Sequence, residues 1–313
     1  MRTTRLLSLL AVTSLLISCG SSNSSDTTSA DRLTVAASFY PIAEIVQRVG
    51  GDDVELLALT APGVEPHDSE LSAKQLDELV KADIVFYIGG GFQPDLEKAI
   101  ESLPTTTVAI DLLKSVETLE EKEHGDEATD DHDHAHSGTD PHVWLDPANM
   151  AEMAMTIATE ISKVKSFDAT AALTERLTTY ASELTAVGTL IDTTFASCER
   201  KELVTAHDAF AYFAHRANLT TVPIAGVDPE TEPSAKDLEA TAAIAKRSKV
   251  TTVFFEEVLP KEFADTVARL IGAKVDSINA VETISQSDLD AGVTYSSIMK
   301  SNIATISTAL GCK

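Results

Sequence analysis

The chain is short of basic residues: 24 Lys and Arg stand against 49 Asp and Glu, a formal charge of −25. That deficit argues against nucleic acid or an anionic membrane surface as partner and is compatible with a cationic ligand. No apolar run is long enough to span a bilayer; the longest at the N-terminus, Leu6 to Ile17, follows Arg2 and Arg5 and has the length of a secretory h-region. Residues 1–18 therefore read as a signal peptide, and the chain as exported. There is no repeat of fixed short period, and no HExxH or comparable zinc motif bearing a catalytic base. A hydrophobic content of 43% over 313 residues is nevertheless ample for a globular protein with real cores.

Cysteine is scarce too, with three in all. Leu16-Ile17-Ser18-Cys19 resembles the lipobox of bacterial lipoproteins, which makes Cys19 the lipid anchor and residues 19–32, rich in Ser, Thr and Asn, a flexible tether. Processing would leave Cys198 and Cys312. In an oxidising compartment pairing is their default, with two buried thiols as the alternative. A bridge across so long a span is worth on the order of 4 kcal/mol in the chain-entropy picture.

What is present is an alternation of short apolar strands and amphipathic helices. Leu33–Ala37, Val54–Leu59, Ile84–Ile88 and Thr107–Ile110 read as strands, the third ending at Gly89-Gly90-Gly91, where the backbone must turn sharply. The pattern resumes with Leu203–Thr205, Thr221–Ile224, Val253–Phe255 and Lys274–Ile278, with Ser234 and Asp237 as a capping box and Tyr295–Leu310 as a closing helix. Such alternation predicts an α/β protein with two lobes, each a mainly parallel sheet flanked by helices: 33–165 and 200–313. Between them 166–199, capped by Asp168, reads as one long linker helix of about 30 residues, roughly 45 Å. A rigid spacer is the preferred reading, with two packed core helices as the alternative.

The most unusual composition lies at 117–140, an acidic loop carrying His124, His132, His134 and His136 as an auxiliary metal-attracting segment or a dispensable solvated insertion. It runs into Asp140-Pro141-His142-Val143-Trp144-Leu145-Asp146, whose apolar residues can bury and fix His142. His67 follows the second strand and His207 the fifth. Ligands of open α/β sheets bind beyond the carboxyl ends of the strands, so facing lobes would bring His67, His142 and His207 to one cleft, a donor set suited to Zn²⁺. His215 reads as structural or exposed.

Several linked segments make the likeness specific: Ser38-Phe39-Tyr40-Pro41-Ile42, Gly63-Val64-Glu65-Pro66-His67, Asp140 to Pro147, His207-Asp208-Ala209-Phe210-Ala211-Tyr212-Phe213, and Tyr295 with Met299 and Asn302. Together they resemble the zinc/manganese solute-binding proteins of bacterial ABC importers (cluster A-I) over nearly the whole mature chain. The resemblance implies two α/β lobes joined by a long helix, a metal ion held between them, and His67, His142 and His207 in the family's histidine positions. Its fourth position falls at Asn279; because an amide is a poor zinc donor, water, Glu65, Glu256 or Asp276 stand as alternatives. Asp146 and Asp208 are candidates for orienting the rings, or for starting helices. Three imidazoles favour zinc over Mn²⁺. The implied protein is a monomeric, lipid-anchored extracytoplasmic zinc receptor serving an ABC permease, and not an enzyme. A secreted three-histidine zinc hydrolase, or a metal-buffering or adhesin lipoprotein of the same fold, are the competing readings.

Overall fold

The computed structural model describes residues 32–120, 138–164, 170–229, 232–256 and 260–313. The first half places β1 (Leu33–Ala37), α1 (Tyr40–Gly50), β2 (Val54–Ala58), α2 (Ala73–Leu79), β3 (Ile84–Tyr87), α3 (Pro94–Glu101) and β4 (Val108–Asp111) in sequence. Their strands form a parallel sheet in the order β2-β1-β3-β4. After α4 (Pro147–Val164) and α5 (Thr170–Thr194), the second half runs β5 (Glu202–Thr205), α6 (Ala211–Ala217), β6 (Thr220–Pro223), α7 (Ala235–Arg247), β7 (Thr252–Glu256), α8 (Glu262–Ile271) and β8 (Lys274–Ile278). This sheet, also parallel, has the order β6-β5-β7-β8. A short α9 (Gln286–Asp290), absent from the sequence reading, precedes α10 (Tyr295–Leu310). The α/β reading with two flanked parallel sheets is thus borne out, and both halves carry the same strand order.

Side chains alternate across each sheet, so a strand covered on both faces must be apolar at successive positions. Leu33, Val35 and Ala37 of β1 and Ile84 and Phe86 of β3 face inward, where they join Leu203 of β5, Phe254 of β7 and Ile278 of β8 in one continuous core with α1, α4, α5 and α10. On the outward faces Ala36 and Val85 pack beneath Leu79 and Leu96, and Val204 and Val253 beneath Ala242, Ala245 and Val267. The two sheets therefore share their principal core, and residues 32–313 form one compact unit.

Helix α5 is continuous over its 25 residues, but it is no free-standing rod. Tyr180, Leu184, Val187, Ile191 and Phe195 are buried in the shared core. Arg176 on the same helix donates to the carbonyls of Val49 and Gly50 at 2.7 and 2.9 Å and to Asp53 at 2.6 Å, closing the C-terminus of α1 with a cation. Asp168, its expected cap, lies outside the described residues.

The Ser234–Asp237 capping box is present at α7. At the end of β3, Gly90 and Gly91 take φ of 80° and 85°. Gly89 donates to Asp111 at 2.9 Å, and a Cβ there would stand 2.5 Å from that carboxylate. Cys198, just past α5, and Cys312, just past α10, form a disulfide. No described helix is long and apolar enough to cross a membrane.

Candidate metal centre

Each candidate ligand sits beyond a strand end in a loop that the local sequence stiffens. His67 follows β2; its N–H donates to Glu65 Oε1 at 2.9 Å, and its ring meets Phe92 edge-on with centroids 4.4 Å apart. His142 follows β4 and the acidic insertion, whose described ends meet in an isolated bridge between Glu120 and Thr139. Asp140 accepts from the His142 N–H at 2.9 Å and lies 2.8 Å from its Nδ1, while the Tyr212 hydroxyl donates to the Asp140 carbonyl at 2.8 Å. Residues Val143–Leu145 then make a 3-10 turn that drives Trp144 into the core. His207 follows β5 by two residues; Thr205 Oγ1 donates to its carbonyl at 2.8 Å, and Glu256 Oε2 at the end of β7 stands 2.7 Å from its Nδ1.

The three rings converge. Centroid separations are 5.3 Å for His142–His207, 5.4 Å for His67–His142 and 6.1 Å for His67–His207. At the centre stands the carboxylate of Glu282, with Oε1 3.3 Å from Nε2 of His142, 3.3 Å from Nε2 of His207 and 3.9 Å from Nε2 of His67. One donor from each of these four residues lies within 4.8 Å of every other, and all four are buried. Four donors placed tetrahedrally about 2 Å from a zinc ion would be roughly 3.3–3.5 Å apart, which the Glu282 distances to His142 and His207 match and the distance to His67 exceeds. The three Nε2 atoms and both Glu282 oxygens are buried without hydrogen-bond partners, because their contacts with one another are ion pairs of poor hydrogen-bond geometry. Buried polar atoms left so are costly unless a cation or protons satisfy them.

The electrostatics agree. Burial opposes charge on His142, but Asp140 and Glu282 outweigh it and push the ring up to about 9. His207 is raised for the same reason: burial opposes, and Glu256 and Glu282 prevail. On His67, burial dominates the pull of Glu282 and the pKa falls. Burial alone would raise Glu282; the charge of His207 and the contacts of His142, His207 and His67 hold it well below the carboxylate range. Glu65, burdened first by burial and then by the charge of Glu282, rises to about 8.

The structure brings His67, His142 and His207 together, and the carboxylate among them is that of Glu282. Asn279, the expected fourth residue, has its Oδ1 engaged with the backbone: it accepts from the Val281 N–H at 2.6 Å, capping the turn that leads to Glu282. Among the alternatives, Glu65 supports the His67 backbone and Glu256 backs His207. Asp276 is exposed on β8, its Oδ1 accepting from Ser277 N–H. The carboxylates against the rings are Asp140 and Glu256. Asp146 instead accepts from Ala148 N–H at 2.8 Å at the start of α4 and pairs with Arg216 at 3.0 Å. Asp208 is buried beside His207, its N–H donating to the Gly226 carbonyl at 3.0 Å. His215 is exposed. Cys19 and the histidines at 124, 132, 134 and 136 lie outside the described residues.

A lone carboxylate inside the buried run Ala280-Val281-Glu282-Thr283-Ile284 was the available signal for Glu282, since a charge among apolar neighbours needs a partner.

Comparison with known proteins accords with this site. The chain is 32% identical over 301 residues to the high-affinity zinc uptake system protein ZnuA of Bacillus subtilis, covering 95% of this chain and 94% of that one. It is 29% identical over 297 residues to the zinc-binding lipoprotein AdcA of Streptococcus pneumoniae, spanning 57% of that longer protein. Among solved structures, the metal-dependent lipoprotein YcdH of Bacillus subtilis superposes with a TM-score of 0.75 at 30% identity, covering 89% of this chain and all of the other. The Zn(II)-bound ZnuA-like domain of Streptococcus pneumoniae AdcA gives 0.74 at 26%, covering 89% and 99%. The family described as ZnuA, zinc-uptake complex component A, periplasmic, matches residues 35–309. With its doubled parallel sheet and buried three-histidine, one-glutamate centre, this chain belongs to that family of zinc-uptake components.

Proposed function

We propose that the chain is an extracytoplasmic zinc receptor that holds one ion between His67, His142, His207 and Glu282 and releases it to the permease of an ABC importer. The observation that carries this is the arrangement of four buried donors around one point, with a carboxylate behind each of two rings. Those carboxylates fix the tautomer that leaves Nε2 free and strengthen the ring as a donor. A set of three imidazoles and one carboxylate suits zinc better than manganese. It also fills a tetrahedral shell, where a hydrolytic zinc site keeps one position open for water, and this counts against the hydrolase reading.

Cargo binding also asks for a cleft that can open, and donors contributed by both halves meet the need: His67 and His142 from the first, His207 and Glu282 from the second. In this reading Cys19 carries the lipid anchor, the receptor is monomeric, and the loop bearing His124, His132, His134 and His136 supplies weaker additional binding. Calorimetric titration of metal-free protein is expected to show one tight zinc equivalent, manganese binding far more weakly. His142→Ala and His207→Ala should each weaken that equivalent by more than about 100-fold. Tight binding that survives both substitutions would refute the assignment.

A further inference from the structure

Glu282 reaches the histidines by an unusual backbone route. Val281, fully buried, takes a φ of 62°, a region that a β-branched residue rarely enters. The other described non-glycine residues with positive φ, Asn218 and Lys249, sit at or just beyond the ends of α6 and α7. Strain at a valine persists only where its surroundings over-determine it.

Here they do so from three sides. From α10, the buried amide of Asn302 grips both backbone groups of Asn279, accepting from its N–H at 3.0 Å and donating to its carbonyl at 2.7 Å. Thus held, Asn279 accepts from the Val281 N–H. From the first half of the molecule, the Trp144 indole N–H donates to the Ala280 carbonyl at 2.7 Å, and the Gly63 N–H to Thr283 Oγ1 at 2.9 Å. Trp144 is itself held by the Tyr295 hydroxyl, which donates to its carbonyl at 2.7 Å. Asn279, Ala280 and Val281 before the carboxylate's own α-carbon and Thr283 after it are thereby fixed, and two of the clamps lie in the loops that carry His142 and His67.

We propose that Asn302 and Trp144 are positioning residues for zinc binding: together they hold the Asn279–Thr283 turn in the left-handed form that aims Glu282 at the three histidines. The clamp needs a donor and an acceptor at the two ends of one short side chain, which an asparagine amide provides and an aliphatic residue does not. Without it the valine relaxes to an extended conformation and the peptide that follows rotates, carrying the carboxylate away from the rings.

The inference rests on Glu282 being a ligand, and its test separates the two. Full-length protein is titrated with Zn²⁺ against a chelator and loaded with Co²⁺ for its visible spectrum, in the parent and in Glu282→Gln, Asn302→Ala, Trp144→Phe and the Glu282→Gln/Asn302→Ala pair. Asn302→Ala is expected to weaken zinc by about 10- to 100-fold and to move the cobalt bands toward those of Glu282→Gln. The pair should fall within about twofold of Glu282→Gln alone, since a side chain already removed has nothing left to be aimed. Trp144→Phe keeps the buried ring, loses the N–H, and should shift affinity and spectrum the same way by a smaller factor; it carries the test if Asn302→Ala does not fold. Losses that multiply between Asn302→Ala and Glu282→Gln, or positioning variants that bind like the parent while Glu282→Gln is weakened, would overturn the clamp alone. Parent-like binding by Glu282→Gln would overturn the ligand assignment and the clamp with it.

Discussion

The two halves of the molecule repeat one strand order but present the residues of the proposed metal centre by different means. In the first half both donors are histidines in loops made stiff by their immediate neighbours: Glu65 under the His67 backbone, and Asp140 under both the backbone and the ring of His142. In the second half, His207 stands two residues past its strand, whereas Glu282 is held by contacts reaching from α10, Trp144 and Gly63. A repeated topology therefore decides which end of each sheet faces the cleft, but not which residues fill it. That choice lies in the loops, where a single left-handed residue changes the side chain presented.

The comparison is tested most severely by the carboxylates behind the rings, because each half supplies one. Asp140→Asn and Glu256→Gln keep shape and remove charge, and each should weaken zinc about 10- to 100-fold in a chelator competition. An effect confined to one of them would mean that the halves are not equivalent in how they support a ligand.

Protons should sharpen the picture further. With His142 at about 9 and His207 raised, the metal-free site holds protons at neutral pH that zinc must displace. Apparent zinc affinity should therefore fall by at least about tenfold per unit as pH drops from 8 to 6, with proton release visible as a dependence of binding heat on the buffer's ionisation enthalpy. The sign is opposite for the metal-free fold. The His142 ring, whose pKa is raised on folding, stabilises it fully below about 6.5, and that contribution fades as pH rises through about 9.

The smallest effect on binding is expected from the disulfide, which joins the ends of α5 and α10 away from the ligands. The Cys198→Ser/Cys312→Ser pair should bind zinc within about twofold of the parent while losing about 2–4 kcal/mol of unfolding free energy in a denaturant titration.

Much of this architecture could be read from the chain before any coordinates. Strand positions were legible because a parallel sheet covered on both faces demands short continuous apolar runs, and β8 (Lys274–Ile278) and α10 (Tyr295–Leu310) fall where the pattern put them. The capping box at Ser234 was legible because it is a contact between residues three apart. The three histidines stood out through their surroundings, each in a segment that follows a strand. Glu282 did not, because the family resemblance points to Asn279, and the hydrogen bond that turns Asn279 into a backbone cap is not a property of its neighbours in sequence. Nor did the alternation of elements disclose that the two sheets share a core: α5 is amphipathic only in the weak sense that α1, α4 and α10 each take part of it.

By itself, the sequence determined the elements, their order and the parallel sheets, and it singled out three histidines as candidate donors, since these follow from local periodicity, local capping and the placement of rare side chains in the loops after strands. Only the tertiary structure decided that the three histidines meet, that the carboxylate of Glu282 stands among them, and that one core runs beneath both halves. Each of those outcomes depends on contacts between residues as distant as Gly63 and Thr283 or Trp144 and Ala280, whose energies no local pattern encodes.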